Sequence, residues 1–175
     1  MPKIILFITC SLDGYIARKS GELDWLSSKR DSDRDNEYTE FFNQIDTVLM
    51  GKNTYQQILD FGEYPYKGKQ GFVFSRTLSG KKDENVEFVQ LSEKFINDLR
   101  KKNQGDIWLI GGAKTIHYFL KHNAIDRLIL AIQPIILGDG IPLIIKNSSL
   151  ELKLDLKKVA SYDSGLLQLT YDTNS

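Results

Sequence analysis

The chain has 175 residues, enough to bury a core of its own, and we expect a single domain over residues 1–175. Its 23 basic and 23 acidic residues balance, which argues against nucleic acid or an anionic membrane as a partner. Cys10 is the single cysteine, so an intrachain disulfide is excluded. No cysteine-based metal cluster is expected, and surface positions are expected for His117 and His122 on or at the end of a helix, so no metal site is predicted. With no signal peptide and no apolar run that could span a bilayer, a cytoplasmic location is expected.

The first part of the chain combines a buried strand with a long polar loop. Residues 3–9 are almost continuously apolar and predict a strand away from the sheet edge. Residues 11–17 follow, with the turn signal Asp13-Gly14. The loop then extends to about Arg34, and Trp25 within it is expected to anchor the loop or to line a pocket.

A strand that leads through glycine into a helix comes next. A helix is predicted from about residue 35 to 43, followed by the short apolar strand 47–50. Gly51, Lys52, Asn53 and Thr54, which we call the first glycine turn, then open a helix marked by Tyr55, Ile58 and Leu59. Glycine lets a backbone pass close to a bulky group, and the free N–H groups of a helix N-terminus attract anions.

The same pattern recurs later in the chain. Strands are predicted at residues 72–74 and 86–89, and Ser92 can cap a helix that buries Phe95, Ile96 and Leu99. The apolar strand 107–110 then runs into the second glycine turn, residues 111–115, and a helix that ends near Asn123. One such turn is equally consistent with plain packing of strand against helix. Two of them favour the two ends of a phosphate-bearing dinucleotide, although neither has the Rossmann spacing.

The last third of the chain changes from buried to alternating strands. Residues 127–137 predict a long strand in which Pro134 indicates a bulge or an edge, and residues 142–145 predict another. The alternation over 150–157 predicts a strand with one solvated face, and 166–171 pairs back on it as a hairpin. We therefore expect a three-layer α/β sandwich of about eight mostly parallel strands and four helices, with a C-terminal antiparallel hairpin.

Polar residues gather where the predicted parallel strands end, which is where open sheets bind ligands. Besides the two glycine turns, they include Ser11 and the pair Ser75-Arg76. Lys52 or Arg76 alone would be an ordinary solvated side chain, but together they suit a phosphate monoester such as the 2′-phosphate of NADPH.

These segments, in this order, resemble the dihydrofolate reductase superfamily. The likeness rests on TVLMGKNTY at 47–55, on residues 107–120, on the Phe-Ser-Arg strand end at 74–76 and on Trp25 in the loop. SLDGYIA at 11–17 and QPIILGDGIP at 133–142 are closer to the reductase domain of bacterial riboflavin biosynthesis and its stand-alone relatives.

The resemblance implies an NADPH-dependent reductase of a small heterocycle, and a homodimer. Thr9, Ser11 and Ile16 would lie at the nicotinamide, and Lys52, Ser75 and Arg76 at the 2′-phosphate. The pyrophosphate region would fall to Gly51, Lys52, Asn53, Thr54, Gly111, Gly112, Ala113, Lys114 and Thr115. Trp25, Gly138 and Gly140 would lie on the substrate side.

Two other functions stay open at this point. A folate reductase would need a buried helix carboxylate, for which Asp35 is the best positional match and Glu37 a rival. We expect Asp35 to be solvated instead, because residues 31–36 are crowded with charge. A non-catalytic nucleotide-binding protein would keep the cofactor site alone.

Overall fold

The fold is built around a mixed sheet that carries helices on both faces. The computed structural model describes residues 1–26 and 31–174. Its strands are β1 (Ile4–Cys10), β2 (Tyr15–Ala17), β3 (Ile45–Gly51), β4 (Gln70–Phe74), β5 (Glu87–Val89), β6 (Asp106–Gly111), β7 (Arg127–Ile132), β8 (Ile141–Pro142), β9 (Leu154–Ser161) and β10 (Leu167–Thr173). Its helices are α1 (Ser32–Gln44), α2 (Lys52–Phe61), α3 (Glu93–Lys102) and α4 (Ala113–Lys121).

Eight of these strands form the main sheet, in the order β5-β4-β3-β6-β1-β7-β10-β9. The strands from β5 to β7 are parallel, and β10 runs antiparallel to both β7 and β9. Buried side chains of α3 and α4 pack on one face of the sheet, and those of α1 and α2 pack on the other. The predicted three-layer architecture with a C-terminal antiparallel hairpin is confirmed.

The helix starts follow local capping chemistry. The Asp31 carboxylate accepts hydrogen bonds from the N–H groups of Asp33 and Arg34, so α1 begins at Ser32, three residues before the predicted start. The predicted cap of α3 is confirmed, since Ser92 Oγ accepts from the N–H of Phe95 at 3.1 Å.

The C-terminal strands differ from their predicted bounds. Strand β7 ends at Ile132, so Pro134 lies beyond the strand and not at a bulge within it. Strand β9 begins at Leu154, because Leu150 and Leu152 pack on the core from irregular backbone. The prediction of one solvated face was wrong. Both faces of β9, which is the edge strand of the sheet, are largely exposed, with Leu156 55% exposed.

The predicted strand at 142–145 is also shorter than expected. β8 is limited to Ile141–Pro142 and pairs antiparallel with β2, outside the main sheet. This small ribbon joins two loops that matter for the site. Among the described residues, no helix has the length and apolar character needed to cross a membrane.

Candidate functional site

The two glycine turns lie side by side in the folded chain. They end the neighbouring strands β3 and β6, where Met50 is paired with Gly111. A Cβ atom added to Gly51 would lie 3.0 Å from Thr115 Oγ1, and one added to Gly112 would lie 3.3 Å from Thr54 Oγ1. Each turn therefore presents a glycine to the threonine of the other, and the Gly111-Gly112 peptide bond is cis.

The helices that start at these turns have open N-termini. Gly51 and Gly112 are the N-cap residues of α2 and α4, and in the described part of the chain no side chain caps either helix. The first-turn N–H groups of both helices are thus available to an anion, and the two helix dipoles reinforce that preference. Close packing and ligand binding are compatible here. The glycines allow the two turns to pack together, and the N–H groups of the helices are available to a ligand.

Two cationic side chains border the turns. Lys52 is exposed at the first position of α2, and Arg76 is exposed two residues beyond Phe74, which pairs with Gly51. Neither forms an ion pair within the described residues. Ser75 Oγ accepts from the N–H of Leu78 at 3.1 Å and lies 3.4 Å from Thr77 Oγ1, a contact in which either hydroxyl can be the donor. Of the other predicted contacts, Asn53 and Lys114 are exposed, Ala113 is half-buried and Thr115 is buried.

The three residues predicted to lie at the nicotinamide, Thr9, Ser11 and Ile16, have different environments in the structure. Thr9 is half-buried near the carboxyl end of β1, and Ile16 packs against the core. Ser11 is buried, and its hydroxyl donates to Asp13 Oδ1 at 2.7 Å and accepts from the N–H of Tyr15 at 3.0 Å. The Ser11 hydroxyl therefore holds its own loop together, which leaves Thr9 as the polar residue at the strand end.

Two loops, residues 11–17 (the Asp13 loop) and residues 133–142 (the Gly138 loop), are bound to each other. The Asp13 carboxylate accepts from the N–H groups of Leu137 at 3.1 Å and Gly138 at 2.8 Å. The hydrogen bond from Ser11, followed by these backbone bonds, holds the pKa of Asp13 below its ordinary value. At Gly140, a Cβ atom would lie 2.3 Å from the carbonyl oxygen of Ala17. Gly138 and Gly140, predicted on the substrate side, thus join these loops.

Trp25 is 8% exposed and lies in a loop that is hydrogen-bonded to α2. Gln57 of α2 donates to the carbonyl of Gly21 at 2.6 Å, and an Arg18–Asp24 ion pair of 2.6 Å closes the loop on itself. Within the described residues, the Trp25 indole N–H has no hydrogen-bond partner. Its burial fits an anchoring residue, the first of the two predicted roles.

The two carboxylates that the folate interpretation considered, Asp35 as the best match and Glu37 as its rival, differ in exposure. Asp35, the candidate catalytic residue, is exposed on the first turn of α1. Glu37 is partly buried and accepts from Lys158 Nζ and Tyr162 Oη, both at 2.8 Å, and from Gln168 Nε2 at 3.3 Å. Burial raises the pKa of Glu37, but the bonds from Lys158 and Tyr162 outweigh it and hold this pKa below its ordinary value.

Burial and the bond to Glu37 raise the pKa of Tyr162 to about 12. The sequence does not predict the cluster of Glu37, Lys158, Tyr162 and Gln168, since no local pattern connects α1 to residues more than a hundred positions later.

A cavity of about 550 Å³ lies away from these groups. Its lining includes Gly62, at the C-terminal end of α2, and Lys69, just before β4 begins. Because β4 is parallel to β3, this cavity is at the end of the sheet opposite the glycine turns. Among the described residues, no group of three or more His, Cys, Asp or Glu side chains could hold a metal ion.

Comparison with known proteins is consistent with this geometry. Residues 2–168 match the family model of the RibD C-terminal domain. The chain belongs to this family. Two relatives from Bacillus subtilis (strain 168) are the uncharacterized proteins YwjB and YyaP. The first is 35% identical over 97% of both chains, and the second 33% identical over 98% of this chain and 95% of its own.

Solved structures agree with the RibD C-terminal assignment. A crystal structure described as that of a riboflavin biosynthesis protein from Shewanella sp. PV-4 has a TM-score of 0.87 and 34% identity, with 99% of each chain covered. The deaminase/5-amino-6-(5-phosphoribosylamino)uracil reductase of Thermotoga maritima has a TM-score of 0.72 at 21% identity, over 99% of this chain and 57% of that one. At 21% identity, the likeness to the Thermotoga maritima protein shows a shared fold only. The protein is therefore similar in sequence and fold to a protein described as one of riboflavin biosynthesis, and similar in fold to a reductase of that pathway.

Proposed function

We propose that this protein is an NADPH-dependent reductase that transfers a hydride to a small heterocyclic substrate, most like 5-amino-6-(5-phosphoribosylamino)uracil. One observation carries the proposal: the two glycine turns adjoin, with the uncapped N-termini of α2 and α4 beside Lys52 and Arg76. Two anion sites and a pair of cations match a dinucleotide with an additional phosphate monoester.

The residues present fit this cofactor. Glycine at 51 and 112 lets the two turns pack closely against each other, and the open N–H groups of α2 and α4 would bind the pyrophosphate. The Lys52 ammonium and the Arg76 guanidinium would bind the 2′-phosphate, with Ser75 donating its hydroxyl proton. NADPH would supply the hydride, and the chain would orient the rings beside Thr9 at the end of β1.

The folate reductase alternative loses its main support, because Asp35 is exposed and Glu37 is paired with Lys158 and Tyr162. A protein that binds the cofactor without catalysis is the remaining alternative, and the assay below separates it from the reductase.

The test is a fluorescence titration with NADPH, followed by turnover assays with the ribosylamino-pyrimidine and with dihydrofolate. We expect NADPH to bind and to be oxidised in the presence of the pyrimidine. Oxidation with dihydrofolate alone would favour the folate reductase. NADPH binding without turnover of either substrate would favour the non-catalytic protein, and absence of NADPH binding would overturn the proposal.

The proposal includes a homodimer, as the family resemblance implies, and the cytoplasmic location expected from the sequence. The exposed edge strand β9 and its apolar side chains Leu154, Leu156 and Val159 give a surface on which a second copy could pack. A light-scattering mass near the 20.0 kDa of one chain, at micromolar concentration, would contradict the dimer.

A further inference from the structure

The carboxamide of Gln168 is buried with one of its two ends unused. The residue is 8% exposed on β10, and its Nε2 donates to Glu37 Oε2 at 3.3 Å. Its Oε1 is buried and has no hydrogen-bond partner among the described residues. Buried polar atoms nearly always have a partner, so an acceptor left over in this way indicates that a donor comes from outside the chain.

The orientation of this amide is fixed by its neighbour. Glu37 also accepts from Lys158 and Tyr162, and these bonds keep it a carboxylate at neutral pH, since its pKa lies below the ordinary value. A carboxylate accepts hydrogen bonds and cannot donate them, so Gln168 must present its NH2 group to Glu37. The planar amide then puts Oε1 on the other side of its carbon atom, away from Glu37.

Gln168 lies in one row with the proposed nicotinamide position. It pairs with Ala131 of β7, and Ala131 pairs with Thr9 of β1. Paired residues on adjacent strands point to the same face of a sheet, and the Glu37 contact identifies this face as the one that carries α1. Strands are about 4.8 Å apart, so Thr9 and Gln168 are separated by roughly 10 Å. The single side chain between them in the row is the methyl group of Ala131.

We propose that Gln168 is a substrate-recognition residue whose Oε1 accepts a hydrogen bond from an N–H group of the heterocyclic substrate. The inference rests on the proposed function, because that function puts the hydride donor beside Thr9. An acceptor at this point selects a ring edge that carries an imide or amino N–H, as pyrimidines do, and rejects an edge that carries carbonyl groups alone. Glu37, Lys158 and Tyr162 are positioning residues that keep the acceptor turned away from Glu37.

The test measures binding and not turnover, so that it stays separate from the assay of the proposed function. The probe is 5,6-diaminouracil, titrated by calorimetry into the full chain saturated with NADP⁺. Gln168→Met keeps the volume and removes the acceptor, and we expect it to weaken the probe about tenfold, the usual effect of one lost hydrogen bond. The affinity for NADP⁺ should not change, and neither should probe binding in the control Gln56→Met, which alters an exposed glutamine of α2.

A second variant tests the role of Glu37 with Gln168 intact. In Glu37→Gln, the new amide can donate its NH2 group to Gln168 Oε1, so the acceptor is occupied from within the chain. Probe affinity should fall several-fold although no group that touches the probe is removed, and NADP⁺ affinity should be unchanged. This variant also decides the matter if Gln168→Met fails to fold.

The outcomes separate the two proposals. NADP⁺ binding with equal probe affinity in wild type, Gln168→Met and Glu37→Gln would overturn the role of Gln168 and leave the cofactor proposal intact. NADP⁺ binding without any probe binding by the wild type would overturn the proposed substrate edge in the same way. If the wild type binds neither compound, the proposed function falls and this inference falls with it.

Discussion

The glycine turns and the two joined loops form the same end of the molecule, yet their polar groups are used in opposite ways. Around the glycine turns, Lys52 and Arg76 lack ion-pair partners within the described residues. In the Asp13 and Gly138 loops, Asp13 binds Ser11 and the backbone N–H groups of Leu137 and Gly138. Both regions carry residues typical of a ligand site, but in the first the polar groups remain available to a ligand.

The glycines of the two regions also differ, in the atoms that an added side chain would meet. At Gly112 a side chain would approach a threonine hydroxyl at 3.3 Å, which can rotate away. At Gly140 it would approach a backbone carbonyl at 2.3 Å, which cannot move without the chain. Substitutions should therefore damage ligand binding in the first region and folding in the second.

The largest effect is expected for Gly140→Ala. The added methyl group collides with the Ala17 carbonyl, and overpacking with backbone strain should reduce the free energy of unfolding by roughly 3 kcal/mol. Gly138→Ala is the matched control: its φ is also positive, at 79°, but a Cβ there meets nothing within 4 Å, so about 1 kcal/mol is expected. Urea unfolding measures both. An equal loss of unfolding free energy in both variants would show that the contact between Gly140 and the Ala17 carbonyl does not constrain the fold.

Gly112→Val tests the opposite region. The branched side chain would occupy the space between the glycine turns, so the NADPH dissociation constant should rise about a hundredfold or more, the result of losing a few kcal/mol of contacts. Unfolding by urea should change little, and Gly112→Ala should give an intermediate loss of affinity. Normal NADPH binding by the valine variant would mean that the second glycine turn serves packing alone.

Arg76→Ala should have a smaller and more selective effect. Loss of one charge-assisted contact is worth roughly 1.5–3 kcal/mol, so NADPH affinity should fall about tenfold to a hundredfold while NADH affinity hardly changes. Lys121→Ala, an exposed cation in the last turn of α4, is the control. Fluorescence titration with both cofactors measures the ratio, and equal losses for NADPH and NADH would refute the assignment of Arg76.

The smallest effect is expected for Asp13→Asn, and it depends on pH. The pKa of Asp13 is lowered in the folded protein, so its stabilisation is present above the pKa of the unfolded chain, near 3.9, and is lost as pH falls through the folded value. Urea midpoints of wild type and variant should differ near neutral pH and converge in acid. A difference that stays constant down to pH 2 would show that charge is not involved.

The sequence predicts which strands, turns and helices form the site better than it predicts the hydrogen bonds that the side chains make there. Helical spacing and glycine position were sufficient to find Gly51 and Gly112, because a strand that leads through glycine into a helix is a local pattern. Ser11 was predicted as a cofactor contact on equally local grounds. Its hydroxyl is used within the Asp13 loop, where it holds Asp13 in reach of Leu137 and Gly138, and that second contact spans more than a hundred residues.

The C-terminal errors have a similar physical origin. Alternation of leucines from 150 to 156 indicates which side chains are apolar, but it does not say whether the backbone between them pairs with a neighbour. Leu150 and Leu152 reach the core without pairing, and the ladder with β10 starts at Leu154. The acceptor on Gln168 was equally invisible, since its significance depends on Glu37 in another layer of the fold.

The position of β1 in the sheet has a consequence for synthesis of the protein. This strand pairs with β6 and β7 and with no strand that precedes them in the described chain. About a hundred residues separate Cys10 from the start of β6 at Asp106, which is roughly 5–20 s of translation at ordinary rates. During that time an apolar strand has neither of its partners. Shielding of this strand by a chaperone during synthesis should therefore raise the yield of folded protein.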